Sequence, residues 1–148
     1  MPIRVYFARL CVARLRIKRT ALSVAAIGAV LSAGLASAQG PTVIKTDTSW
    51  GRSARTLPPT PNVTTVRGSK GTVYTVPGKV FTIPESAGKT AGTNLFHSFD
   101  TFNIGQGDAA VFTTNTASLT NVISRVTGNA PSFIEGLLAL QPAAGSKR

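Results

Sequence analysis

The sequence predicts an all-β chain behind a removable amino-terminal leader, and three observations carry that expectation. From Asn62 onward, short runs rich in Val, Thr, Phe and Ile alternate with Gly, Pro and Asn, the punctuation of strands joined by tight turns. Beyond residue 38 no stretch has a clear amphipathic helical period; the nearest is Ser132 to Leu140, where Phe133, Ile134, Leu137 and Leu138 would share a stripe, and strand and helix both stay open there. The first 38 residues are built differently from all that follows.

In that leader, residues 1–38, Arg4, Arg9, Arg14, Arg16, Lys18 and Arg19 precede a run of mostly Ala, Val, Leu and Gly from Ala21 to Leu35, with no acid among them. This is the layout of a signal peptide. The apolar run is shorter than the roughly twenty residues that span a bilayer, and it ends in Ala36-Ser37-Ala38, small residues that suit cleavage before Gln39. The expectation is therefore export, with no membrane-spanning anchor. The only cysteine, Cys11, lies in the leader, so the remainder holds no thiol for a disulfide or a Cys-ligated metal.

The formal charge of +11 also owes much to the leader. Past residue 38 the cations Lys45, Arg52, Arg55, Arg67, Lys70, Lys79, Lys89 and Arg125 are scattered, and two more close the chain. None forms the cluster that tracks a phosphate backbone, so no nucleic-acid partner is expected.

Residues 39–61 read as a loop-rich opening segment, because Pro58-Pro59 and Pro61 exclude a helix, with Trp50 expected as its only large apolar anchor. Strands are then expected over Val63–Arg67, Thr72–Val76, Val80–Ile83, Asn94–Ile104, Ala110–Thr113 and Leu119–Thr127. Val73 and Thr75 alternate with Tyr74 and Val76, and Val80 and Thr82 with Phe81 and Ile83, so both faces of these strands carry apolar or β-branched groups. Strands of that kind are sandwiched or stacked. The turn spacing alone admits a β-sandwich or a solenoid.

Enzyme-like fragments are weak. Ala87-Gly88-Lys89-Thr90 resembles the end of a phosphate-binding loop, but the position that needs the first glycine is Ile83. Gly105-Gln106-Gly107-Asp108 reads as a hairpin-like turn, since it leads into Ala110-Val111-Phe112 with no helix. His97 is the only histidine, and neighbours along a strand point to opposite faces, so His97 and Ser98 do not form a hydrolytic pair. No enzyme activity, metal or cofactor is expected.

Two runs carry the most information. Gly92-Thr93-Asn94-Leu95-Phe96-His97-Ser98-Phe99 continues to Phe102-Asn103, and Asn121-Val122-Ile123-Ser124-Arg125-Val126-Thr127-Gly128 is followed by Pro131-Ser132-Phe133-Ile134-Glu135-Gly136. Together they resemble the amino-terminal two-partner secretion domain of filamentous haemagglutinin-type exoproteins. The resemblance covers residues 62–140. It implies a right-handed parallel β-helix with side hairpins, incomplete here at its C-terminal end, and a secreted or cell-surface adhesin-like exoprotein exported through the periplasm. The implied partner is an outer-membrane transporter with periplasmic domains, with a host or neighbouring cell surface as a further one. Candidate recognition residues are Asn94, Leu95, Phe96, His97, Ser98, Phe99, Phe102, Asn103, Arg125, Val126, Thr127 and Gly128.

After Leu140 the resembling proteins continue into a further strand and an Asn-Pro-x-Gly motif, whereas residues 141–148 read Gln-Pro-Ala-Ala-Gly-Ser-Lys-Arg, a divergent tail. The expectation is a truncated or misread longer exoprotein, marginally stable or self-associating at its open end. Two other readings stand beside it: a short secreted carbohydrate-binding or polysaccharide-acting β-helix, and a non-functional remnant.

Overall fold

The computed structural model describes residues 4–8 and 40–146. The apolar run Ala21–Leu35, the expected cleavage residues Ala36, Ala38 and Gln39, and Lys147 and Arg148 lie outside them. In chain order the strands are β1 (Arg4–Ala8), β2 (Val43–Thr46), β3 (Thr65–Arg67), β4 (Val73–Thr75), β5 (Val80–Pro84), β6 (Lys89–Ala91), β7 (Asn94–Asn103), β8 (Ala109–Thr113), β9 (Asn121–Val126) and β10 (Leu137–Gln141). A single 3-10 turn, Glu85–Ala87, is the only helical element among the described residues, and none of their helices is long and apolar enough to cross a membrane.

Two parallel ladders organise the chain. In one, β8 lies between β5 and β10, with Val80 opposite Ala109 and Ala109 opposite Leu137. In the other, β7 and β9 run parallel with Asn94 opposite Asn121, and β1 adds to the outer edge of β9 with Arg4 opposite Asn121. The opposite edge of β7 is filled by two antiparallel strands, β6 against Asn94–Phe96 and β2 against Phe99–Asn103. The strand β3 pairs only with β4, as a separate hairpin.

Alternation in β5 explains why its ladder is covered on both faces. Phe81 and Ile83 point into the main core with Leu95, Phe99, Phe102 and Phe112, while Val80 packs on the other side with Val66, Val76, Val111 and Ala139. Four successive residues of β8, Ala109 to Phe112, are buried in consequence. The double-sided apolar pattern of Val80 to Ile83 thus corresponds to a strand packed on both faces.

The same pattern in Val73 to Val76 misleads. There Val76 is buried, but Val73 and Tyr74 are 55% and 44% exposed. The hairpin covers the ladder with Val66 and Val76, and all three residues of β4 are exposed.

The opening segment also differs from expectation. Val43–Thr46 is a strand, and the segment is held by Ile44 and Leu57, both in the main core, while Trp50 is 37% exposed. Ile44 and Leu57 are drawn together because the Leu57 N–H donates to the Ile44 carbonyl at 2.8 Å. At Ser132–Leu140 the helical alternative is overturned: Ile134 bridges to Ile104, Leu137 opens β10, and Phe133, which a helix would have buried, is 60% exposed. The turn after Ile104 closes with Asp108 N–H donating to the Gly105 carbonyl, but β8 then pairs with β5 and β10, so it is a corner between ladders and not a hairpin.

A register shift in β7 sets which of its side chains face inward. Leu95, His97 and Phe99 are buried, and after Asp100 the phase moves to Phe102 and Ile104. Lys45 opposes Thr101 while Thr46 opposes Phe99, so Asp100 has no partner across the pair and bulges. Its carbonyl accepts the Gly128 N–H at 3.1 Å, and a Cβ on residue 128 would run into that carbonyl oxygen. Glycine is required there by the close approach of two backbones.

Candidate functional site

The ladder β7–β9 brings the two informative runs side by side. Asn94 stands against Asn121, Ser98 against Arg125 and Phe99 against Val126. The Asn121 side-chain amide donates to Asn94 Oδ1 at 2.7 Å, a rung-to-rung amide ladder. Asn103 does different work, accepting the Phe133 N–H at 3.0 Å.

Strand alternation divides the rest of the candidate set. Leu95, His97, Phe99 and Phe102 are buried, Phe99 and Phe102 with ring centroids 4.9 Å apart at a tilted angle. Ser98 points the other way and is also buried, because the turn after β2 folds over it. Asn94, Phe96, Asn103 and Val126 are partly exposed, and Arg125 and Thr127 are exposed.

Over Ser98 lies a polar network centred on Asp47. Its Oδ2 accepts from Ser98 Oγ at 2.5 Å, Ser49 Oγ at 2.8 Å and Thr127 Oγ1 at 2.9 Å, and its Oδ1 accepts the Ser49 N–H at 2.9 Å. Arg125 closes the network by donating from Nε to Ser98 Oγ at 2.7 Å and from an Nη to Ser49 Oγ at 2.8 Å. Partial burial alone would raise the Asp47 pKa, but donation from Ser98, the Ser49 N–H, Ser49 Oγ and Thr127 outweighs it and holds the carboxyl below its ordinary value. Ser98, Arg125 and Thr127 were in the sequence-derived set; Asp47 and Ser49 were not. Their signal was the Asp-x-Ser spacing of an Asx turn, which a loop reading of the segment passes over.

Replacing Asp47 with Ala is expected to leave the buried Ser98 hydroxyl and the Ser49 and Thr127 hydroxyls without their shared acceptor, at a cost of about 2 kcal/mol. Asp47→Asn, which keeps an acceptor oxygen, should lose less. Urea unfolding midpoints compare the two, and equal midpoints for wild type and Asp47→Ala would mean that the network contributes nothing.

His97 lies on the opposite face of β7 from this network. Its ring is packed against Phe99 and Phe112, with centroids 5.9 and 5.2 Å away, and neither ring nitrogen has a hydrogen-bond partner among the described residues. Burial lowers its pKa to about 4, against a smaller opposing pull from Glu85. Ser98 and His97 therefore form no nucleophile–base pair, and His97 is neutral at physiological pH. Glu85 caps the turn after β8, accepting the Asn115 and Thr116 N–H groups at 2.7 and 3.0 Å and the Thr116 hydroxyl at 2.7 Å. Its partial burial would raise its pKa, and these donors, led by Thr116, bring it below the usual value. No group of three or more His, Cys, Asp or Glu side chains suited to a metal ion exists among the described residues.

What the arrangement offers is a short polar surface around Arg125 and Thr127 and a strand whose apolar side chains are mostly internal. The sequence model of the TPS secretion domain family matches residues 59–147. No curated protein and no solved structure matches the chain.

Proposed function

Because the chain belongs to the TPS secretion domain family, which makes it a two-partner secretion substrate exported with a dedicated transporter partner, we propose that the segment Asn94–Asn103 with Arg125–Gly128 is what that transporter reads. The observation that carries this reading is the family match over residues 59–147, which contains both runs. The remaining particulars follow as parts of the same proposal: residues 1–38 as a signal peptide cleaved at Ala36-Ser37-Ala38, passage through the periplasm, an adhesin-like exoprotein at the cell surface, and a parallel β-helix as the fold.

Stacked registers support the β-helix. Val80, Ala109 and Leu137 recur on one face, Asn94 and Asn121 on a second, and Ile104 and Ile134 bridge on a third, at intervals of 27 to 30 residues. A solenoid is built by such near-constant returns of the chain.

The location of the buried residues bears on how recognition works. In the folded chain β7 has both edges occupied, by β9 on one side and by β6 and β2 on the other. Leu95, His97, Phe99 and Phe102 are internal. A transporter domain that adds this segment to its own sheet edge must therefore meet it before folding, reading side chains that folding later buries. Folding outside the cell then competes with rebinding and favours release.

Replacing Asn94 and Phe96 together with Ala is expected to abolish transporter-dependent release while leaving export across the inner membrane intact. Both side chains are only partly buried, so the double variant keeps its core. Cell fractionation with a transporter co-produced reads the result, and a thermal melt of the purified variant checks the fold. Release at the wild-type level from a folded variant would remove this segment from the recognition role.

A further inference from the structure

Trp50 is displayed in a way that packing does not explain. It is the only tryptophan of the chain, it is 37% exposed, and its φ of 91° puts a bulky residue in the left-handed region. Such a backbone costs on the order of 1–3 kcal/mol and persists where the surroundings impose it. Trp50 directly follows the Asx turn at Asp47–Ser49, and two cations lie against its indole: Lys89 Nζ is 5.8 Å and the Arg125 guanidinium 5.5 Å from the ring centroid.

Two hollows meet at this ring. One, of about 560 Å³, is lined by Trp50, Arg52, Ser86, Lys89, Thr90 and Asn115 among others. The second, of about 310 Å³, shares Trp50, Arg52 and Ser86 and adds Ser53, Arg55 and Ala87. Both volumes fall within the roughly 300–1,000 Å³ of small-ligand sites.

The charges around them are arranged for an anion. Asp47 and Glu85 face the hollows, but their oxygens are taken by the donors described above. Arg52 donates to the Ser86 carbonyl, which uses part of its guanidinium. None of Arg52, Arg55, Lys89 and Arg125 is in an ion pair among the described residues, where Lys45 pairs with Asp100. Cationic groups without an ion-pair partner among the described residues therefore surround a flat apolar ring, with hydroxyls and an amide between them.

We propose that this groove binds an acidic oligosaccharide carrying uronate carboxylates. A pyranose ring presents one flat face of C–H groups that stacks on the indole, its hydroxyls match Ser86, Thr90 and Asn115, and its carboxylate matches the guanidinium fork of Arg52 and the Lys89 ammonium. An acidic peptide fits less well. Apart from Trp50 and Ala87 the lining holds no apolar side chain to receive one from a peptide. The groove touches the proposed recognition segment at Ser98 and Arg125, but ligand binding to it is tested without the transporter.

Because Trp50 is the sole tryptophan, its fluorescence reports this groove alone. Titrating the full chain with hexagalacturonate is expected to change Trp50 emission saturably, while maltohexaose, neutral and of equal length, leaves it unchanged. Arg52→Gln with Lys89→Gln should weaken the response at least tenfold with the melting temperature preserved. In Trp50→Gly, which suits the positive φ, calorimetry should detect no binding to a chain that melts no lower than wild type. No saturable change with hexagalacturonate, an equal response to maltohexaose, or an equal response to poly-glutamate would each overturn the proposal, the last by assigning the groove to acidic peptides.

Discussion

Phe99→Ala is expected to move the urea unfolding midpoint far below that of the wild type. Phe99 is fully buried in β7 and touches three aromatic neighbours, with ring centroids 4.9 Å from Phe102, 5.9 Å from His97 and 6.3 Å from Phe112. These rings fill the space between the two ladders, where Phe81, Leu95 and Leu140 complete the packing. Truncation removes the largest apolar contact there and leaves a cavity that rigid strands on both sides cannot close, a loss of about 4 kcal/mol. Stabilities of small domains are on the order of 5–15 kcal/mol, and this core is thin, so that loss is a large share of the total. Urea denaturation of Phe99→Ala and Phe99→Leu gives the comparison. A midpoint for the alanine variant within experimental error of wild type would mean that the ladders do not pack on each other through this ring.

Acid is expected to weaken the fold through His97 first. Its pKa in the folded chain is about 4, against an ordinary value of 6.5, because the ring is buried among Phe99 and Phe112. The unfolded chain therefore takes up a proton at a pH where the folded chain cannot. Stability present above pH 6.5 falls as pH drops from 6.5 to about 4, by about 3 kcal/mol in all. Asp47 and Glu85 act in the same direction lower down, since their depressed carboxyl values contribute stability only above the ordinary 3.8 and 4.5 and lose it in stronger acid. His97→Met fills similar space without a titrating group and should flatten the slope between pH 6.5 and 4 while leaving the steeper loss below. Unfolding midpoints across that range measure it. An unchanged slope in His97→Met would show that the buried imidazole is not its source.

Much of this architecture is legible in the residues because its strands are short and bounded. Val80–Ile83 and Asn94–Ile104 stand out by β-branched and aromatic content between Pro, Gly and Asn, and the observed β5 and β7 differ from those bounds by one residue at the end. What the residues do not show is partnership. Val43–Thr46 is too short and too close to four prolines to read as a strand, and it becomes one because β7 offers it an edge and the core takes Ile44. Residues 4–8 likewise pair with β9 through backbone register that no local pattern encodes. Ser132–Leu140 stays ambiguous by itself because Phe133, Ile134, Leu137 and Leu138 suit a helix stripe as well as a bridge and a strand; the edge of β8 decides it.

The candidate site was half legible for the same reason. Asn94, Ser98, Arg125 and Thr127 could be picked from two runs of sequence, and the ladder brings those runs together. Asp47, the acceptor that ties Ser98 to Thr127, lies far from both in the sequence, in a segment that reads as loop. Trp50 reads in sequence as the apolar anchor of its segment, whereas it stands 37% exposed directly after the Asx turn at Asp47–Ser49.

The most direct measurement is the distribution of the full chain between periplasm and medium, with and without an outer-membrane transporter of the two-partner class co-produced. A two-partner secretion substrate should accumulate in the periplasm alone and reach the medium only when the transporter is present. Equal release in its absence, or retention in its presence while a known substrate of the same transporter is released, would contradict that function.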